Sequence, residues 1–518
     1  MNIAGNSDVP PLEGGERFLA SAGVLLASFM NVLDTTIAVV ALPAISGGLG
    51  ATPSQGSWVL TIYSVCLAVV LPLAGWISRR FGQIRSFYIA VFVFTLTSWL
   101  CASASSFNEL LIFRALQGMS GGLLIPYSQS IILRIYPVEE HGKALGLWGL
   151  TSAVGPVAGP ILGGLITDHL GWPWIFYINI PIGLFCVWAC VTFMRRYETP
   201  IKRVPVDVIG LLLLVVGIIS LQLMLDRGHE LDWFASRQVW VLAGVGTLCL
   251  VFFFIWELDE EHPVVDLSLF TGFSFTIGAV MTALFYGVFI VVAVMYPLWM
   301  QTVMGYTPGA AGMVMAMTTL FPILTMPLLG QRARNWDPRL AIFAGIALMI
   351  VVVLLHGSLT VQVSSTYLTV VRFMIGLSMP FVWTPLMMIT FSNVAAHKMD
   401  DATGLYNFLR MLASSMATAL GITLWDDRTI VHRADLVARM SESSIERTQF
   451  LTQATAATGD VDAALVMTEN IIFQQARTMA QQDVFLAACA VLVVVALLAL
   501  TLSRARLAPA PDQGAGND

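Results

Sequence analysis

The chain has 518 residues, of which 57% are hydrophobic and only 11% charged. A water-soluble domain carries about 25% charged residues, so this composition excludes a soluble globular protein and makes lipid the solvent. The net charge of -6 comes with no basic stripe, which speaks against a nucleic-acid partner, and the six cysteines sit in apolar runs without metal or redox spacing.

In chain order, a polar leader reaching Arg17 gives way to an apolar run over 18–42, long enough to span a bilayer rather than be cleaved. Runs near the ~20 residues that a bilayer core demands recur, which makes roughly fourteen spans. They lie near 56–76, 86–105, 109–133, 144–167, 174–194, 207–225, 238–256, 274–296, 309–330, 340–357, 366–391, 404–424 and 484–503. Hydrocarbon offers nothing to an unpaired backbone N–H or C=O, and no alternating barrel pattern is present, so each run is predicted to be a helix.

An even count puts both termini on one side. The loops on that side hold Arg79, Arg80, Arg85, Lys143, Arg195, Arg196, Lys202, Arg203, Arg332, Arg334 and Arg339. The short opposite loops hold only Arg227 and Arg237, so the positive-inside rule, which counts short loops, places both termini in the cytoplasm. The acidic loop 258–270 dissents, but acids weigh little in that rule.

A repeat fixes the architecture. The run from Arg114 can be laid without gaps on the run from Arg372, pairing Gly118 with Gly376, Ser120 with Ser378, Ala144 with Ala402, Gly146 with Gly404 and Trp148 with Tyr406. Spans 4 and 5 therefore correspond to spans 12 and 13, as in transporters built from two parallel six-helix halves. The expected organisation is an all-α polytopic membrane protein. Its parts are a six-helix bundle over 1–200, two extra linker helices over 201–270 and a second bundle over 271–425 and 483–503. An outer helical loop over 426–482 and a cytoplasmic tail over 504–518 complete it. Within the outer loop, Ile430, Leu436 and Met440, then Val461, Leu465, Ile472 and Met479, fall at helical spacing and predict apolar faces.

Asp34 stands well inside span 1. A carboxylate at that depth costs a few kcal/mol unless it is neutral or faces a wet cavity. It reads either as a structural acid bonded to Asn31 or Thr35, or as a proton carrier loading from one side and releasing to the other. Arg114 in span 4, with Glu109 at its outer end, either biases that proton or ties span 4 to span 1. Arg410 in span 13 admits a substrate or a structural role. In span 5, Gly155, Gly159 and Gly163 fall at four-residue spacing, with Pro156 and Pro160 interrupting the ladder, which predicts a tight and bent helix contact. Tyr286, Phe289, Trp299 and Trp383, among many methionines, are candidates for a substrate cavity, together with Asn31, Gln117, Gln129 and Asn407. No phosphate loop, nucleophile elbow, metal cluster or dinucleotide fingerprint appears, so neither an enzyme nor a cofactor is expected.

These features resemble the fourteen-span drug:proton antiporters of the major facilitator superfamily, most nearly the EmrB type. The similarity runs through LDTTIAVVALP with Asp34, FRALQGMSGG with Arg114, Gln117 and Gly118, and WIFYINIPIG. The family's export motif is matched in full by Gly155, Gly159, Pro160, Gly163 and Gly164. The gating loop after span 2 carries Gly75, Arg79, Arg80 and Gly82, with Arg79 where the wider superfamily has an aspartate. The resemblance implies alternating access in the bacterial inner membrane, with inward proton flow driving export of a hydrophobic toxic compound. It further implies a periplasmic adaptor of the EmrA type and an outer-membrane channel. Export of an endogenous metabolite or fatty acid, a nutrient symporter and a non-transporting sensor are the competing readings.

Overall fold

A computed structural model describes residues 12–51, 56, 58–137, 140–201, 207–228, 231–260, 263–332, 338–357, 360–439, 452–456 and 459–502. Among these residues, fourteen long helices follow the apolar runs: α1 (Gly14–Gly48), α2 (Trp58–Phe81), α3 (Gln83–Ala102), α4 (Phe107–Ile135), α5 (His141–Leu170), α6 (Trp174–Tyr197) and α7 (Val208–Arg227). The series continues with α8 (Arg237–Asp259), α9 (Phe273–Thr302), α10 (Pro308–Arg332), α11 (Pro338–His356), α12 (Ser365–Phe391), α13 (Met399–Arg439) and α14 (Val461–Thr501). Among the described residues, 12 are long and apolar enough to cross a membrane, or 13 when α5, bent by 49°, is taken as one span. The expected tenth span coincides with α10, whose apolar core Ala310–Pro322 is shorter than the rest.

The helix boundaries follow local chemistry. Ser106, Asp207, Ser236, Ser364 and Asp460 each cap a helix by accepting a bond from a backbone N–H two or three residues on. Gly82 and Gly171, both at φ +88°, make the sharp turns out of α2 and α5, where a side chain would be strained.

The first bundle packs α1 on α4, α5 and α6, and α4 on α2 and α3; the second packs α9 on α13 and α14, and α12 on α10 and α11. The halves meet where α5 lies along α10 and where α13 crosses α2 and α4. The extra pair α7–α8 stands outside both: α7 leans on α2 and α13, while α8 contacts α7 and leaves Leu248, Phe252, Ile255 and Leu258 facing outward toward lipid.

The loop expected over 426–482 is helical in its described parts except at its 459–460 bend. Most of its described residues continue α13 and α14, each 41 residues long. The ion pairs Arg428–Asp483 and Arg433–Glu469 and the bond from Trp425 Nε1 to the Arg477 carbonyl (2.8 Å) hold the two extensions together. Hydropathy falls at 425 and 483, but α13 and α14 run through those positions, so the bundle boundaries expected there are not helix ends. The predicted apolar faces are not fully covered either, since Ile430 is 70% and Val461 59% exposed. Met440, Arg334 and the tail after 503 lie outside the described residues.

Candidate functional site

Asp34 and Arg114 form an ion pair deep in the first bundle, with both side chains fully buried. Arg114 Nη1 donates to Asp34 Oδ2 at 2.5 Å. The other carboxylate oxygen accepts from Gln117 Nε2 and from Asn179 Nδ2, each at 3.0 Å. Ser98 Oγ, on α3, takes one further bond from each of these two amides. Arg114 Nε donates to the Val59 carbonyl at 3.2 Å, and its guanidinium lies 4.1 Å over the Tyr63 ring. Five helices (α1, α2, α3, α4 and α6) thus converge on one carboxylate. A charge taken this far out of water persists only when paired and hydrogen-bonded, and this one is both.

The same helix that carries Asp34 forms the floor for the glycines of α5. An ideal Cβ on Gly155 would stand 2.3 Å from Val32, one on Gly159 2.0 Å from Thr36 Oγ1, and one on Gly163 3.0 Å from the Ile37 carbonyl. Thr36 Oγ1 donates to the Gly155 carbonyl at 3.2 Å. Small residues let two helix backbones approach this closely. Gly164 differs, with open space where its Cβ would be, and the Pro160 side chain lies outside the described residues.

Between the halves sits a caged cation. Arg410 on α13 lies 4.8 Å from the Tyr286 ring centre, 5.5 Å from Trp148 and 5.6 Å from Trp383. Phe289 stacks at 6.2 Å on Tyr286. One turn before Arg410, Asn407 Nδ2 donates to Gln129 Oε1 of the first half at 2.8 Å. Arg410 Nη1, Trp383 Nε1 and Gln129 Nε2 are buried donors without a hydrogen-bond partner among the described residues. Unspent donors beside aromatic walls where two bundles meet are the kind of polar and apolar lining that a ligand site requires.

At the basic end of the bundle, α2 is latched to the start of α13. Arg79 pairs with Asp401, and Ser78 donates to Asp400. Gln83 Nε2 reaches both Asp400 Oδ1, at 2.5 Å, and Ser130. Gly75 makes room for this latch, and Arg80 sits half-buried beside it. Glu198 sits over Gly82 and accepts from the backbone N–H groups of Ile84 (3.0 Å) and Arg85 (2.8 Å), fixing the first turn of α3. Next to the latch, Lys398 Nζ lies 2.6 Å from Asp266 Oδ2. Burial alone would raise the Asp266 carboxyl, but bonds from Lys398 and Ser268 hold it below the usual carboxylate range.

Four expected site residues lie elsewhere. Glu109 takes no part in the Asp34 cluster: it is exposed at the first turn of α4 and accepts from the Ser105 backbone and hydroxyl. Gln117 belongs to the carboxylate network, and Asn31 bonds Tyr63 and the Gly121 carbonyl inside the first bundle. Trp299 is turned away from the cage, donating to Thr478 of α14 at 3.1 Å. Sequence reasoning passed over Asn179 and Ser98 in the cluster, Trp148 in the cage, and Asp400 and Asp401 in the latch. Asn179 stood in the quoted stretch WIFYINIPIG, Trp148 was one half of a repeat pair, and the two aspartates lay in the repeat itself.

Comparison with known proteins agrees with this architecture. The family model described as Major Facilitator Superfamily matches residues 24–418. The multidrug export protein EmrB of Haemophilus influenzae is 42% identical, over 83% of this chain and 85% of its own. That of Escherichia coli K12 is 40% identical, over 82% and 83%. The fatty acid resistance protein FarB of Neisseria gonorrhoeae is 38% identical over 94% of this chain and 96% of its own. The crystal structure of the human organic anion transporter MFSD10 (TETRAN) covers 93% of this chain and 100% of its own with a TM-score of 0.56 at 13% identity, a likeness of fold alone.

Proposed function

The chain belongs to the major facilitator superfamily, and on that premise we propose that it exports hydrophobic toxic compounds from the bacterial cytoplasm across the inner membrane in exchange for protons. One observation carries the proposal. The fully buried carboxylate of Asp34, on the helix against which the α5 glycines pack, is held by Arg114 and two amides. Protonation of Asp34 weakens its bond to Arg114 and changes what α1 presents to α5, and α5 runs along α10 of the other half. Proton loading is thereby linked to the contact that must slide when the halves rock. Alternating access then exposes the Arg410 cage first to one side and then to the other, with the Arg79–Asp401 latch closing the basic end. Both termini lie in the cytoplasm in this scheme, α10 serves as a span, and a periplasmic adaptor of the EmrA type with an outer-membrane channel receives the substrate.

A second reading, export of a fatty acid or another endogenous amphiphilic acid, is favoured by one feature: the cage presents a cation among aromatic rings. The 38% identity to a protein named for fatty acid resistance points the same way. Both readings are tested in proteoliposomes loaded with a fluorescent drug or a labelled fatty acid. An imposed proton gradient should drive transport and its collapse should stop it. Transport indifferent to the gradient overturns the proton-coupled scheme, and the preferred cargo decides between the two substrates.

A further inference from the structure

The internal repeat sets Arg114 opposite Arg372, and the two arginines have different surroundings. Arg114 faces Asp34. Arg372, on α12, is also fully buried, yet no ion pair among the described residues includes it. Its Nη2 donates to the Val292 carbonyl of α9 at 2.9 Å, and its guanidinium covers the Tyr296 ring at 3.8 Å. The other edge of Tyr296 meets the imidazole of His356, at the end of α11, with ring centres 4.7 Å apart, and His356 in turn meets Phe485 of α14. Gln481, one turn before Phe485 on the same helix, is buried as well.

This cluster concentrates unspent polar atoms. Arg372 Nε, His356 Nε2 and both side-chain polar atoms of Gln481 have no hydrogen-bond partner among the described residues, and the Tyr296 hydroxyl, which lies against the Arg372 guanidinium, finds no acceptor among them for its own proton. Native interiors leave only a few such atoms per hundred residues, and a group of them calls for water or an ion. The charge favours an ion. A guanidinium stays protonated, a carbonyl and a ring face compensate only part of its charge, and an unpaired buried cation is strongly unfavourable. His356 Nδ1 bonds the Val352 carbonyl at 2.7 Å, which places the ring proton there and leaves Nε2 as a lone pair in the neutral ring. The donors are therefore Arg372 Nε, the Tyr296 hydroxyl and Gln481 Nε2.

We propose that the second bundle holds a small monovalent anion of chloride size between α9, α11, α12 and α14, seated on Arg372 and Tyr296 with Gln481 at its edge. The anion stands where the first bundle has Asp34. One half thus carries a covalently attached acid that exchanges protons, and the other borrows a diffusible anion that does not.

The test uses the purified full-length chain in lipid nanodiscs, with thermal unfolding followed as sodium chloride replaces sodium gluconate at fixed ionic strength. A ligand that binds only the folded state raises the midpoint saturably. The wild type should show that rise, and Arg372→Gln should lose it. Tyr296→Phe, which keeps the ring and removes one donor to the anion, should raise the half-saturating chloride by at least about tenfold. Arg410→Gln should respond as the wild type does. A wild type indifferent to chloride overturns the site and makes the cluster a hydrated one. A response kept by Tyr296→Phe but lost in Arg410→Gln overturns it too, by moving the anion to the cage between the halves. If Arg372→Gln does not fold, the Tyr296→Phe titration decides alone.

Discussion

The Asp401 carboxylate occupies the space that a side chain on Gly75 would need: an ideal Cβ there would stand 1.8 Å from Asp401 Oδ1 and 2.8 Å from the Asp401 Cα. The second distance matters most, because a backbone atom cannot swing aside. Gly75 is therefore the position at which α2 and α13 touch, and the Arg79–Asp401 and Ser78–Asp400 contacts close around it.

Gly75→Ala should wedge this contact apart at a cost of about 1–3 kcal/mol, the range for overpacking. The cost falls only on the state with the basic end closed, so the conformational equilibrium shifts. Accessibility of a cysteine at Ser78 to a membrane-impermeant reagent in inside-out vesicles reads that shift. Labelling should rise in the variant, and equal labelling would show that the latch tolerates a methyl group.

Asp34→Asn should abolish gradient-driven efflux while the protein still reaches the membrane. The amide keeps the shape and loses the exchangeable proton. It also leaves the buried Arg114 guanidinium uncompensated, which lowers stability by up to about 3–5 kcal/mol. Substrate exchange without a gradient separates the two effects. Retained exchange with lost gradient response supports proton carriage, wild-type driven efflux sinks it, and loss of both points to misfolding.

Gly159→Leu should disable transport by forcing α5 away from α1. Its Cβ would meet Thr36 Oγ1 at 2.0 Å and the Ile37 backbone nitrogen at 3.0 Å, leaving no room for a larger side chain. Gly164→Leu is the control, since nothing lies within 4 Å of its Cβ position. Drug-resistance assays on both variants at matched expression should show loss at Gly159 and little change at Gly164. Equal loss at both would mean that the α5 face, rather than the α1 contact, matters.

The extensions of α13 and α14 leave Ile430, Val461, Leu465 and Val466 exposed, the surface that the proposed adaptor would cover. Replacing 440–470 with a Gly/Ser linker should leave transport in proteoliposomes intact and lower resistance in whole Gram-negative cells. Equal loss in both assays places the segment in the transport cycle, and no loss in either makes it a dispensable cover. Cysteines at Ser443 and Ser78 test its side: in sealed, right-side-out cells only the first should label.

Composition and periodicity decided much in advance. Hydrocarbon forces every apolar run of sufficient length to bond its own backbone, so the places of the helices were legible, α10 and the pair α7–α8 included, but not the polar lengths by which α13 and α14 outrun their apolar runs. The repeat around Arg114 and Arg372 made the two-bundle plan legible as well, and spacing alone marked the α5 glycines as a contact face. Which side chains meet was not legible, because partners lie far apart in the chain: Asp34 and Asn179 differ by 145 positions, Gln129 and Asn407 by 278. Hydropathy ranks a residue by its own transfer energy and carries nothing about its neighbour. It could not separate Trp383, which walls the cage, from Trp299, which serves a helix contact. Nor could it tell that Asp34 answers Arg114 while Arg372, the repeat partner of Arg114, is answered by no acid among the described residues; only the packing of the second bundle decided that.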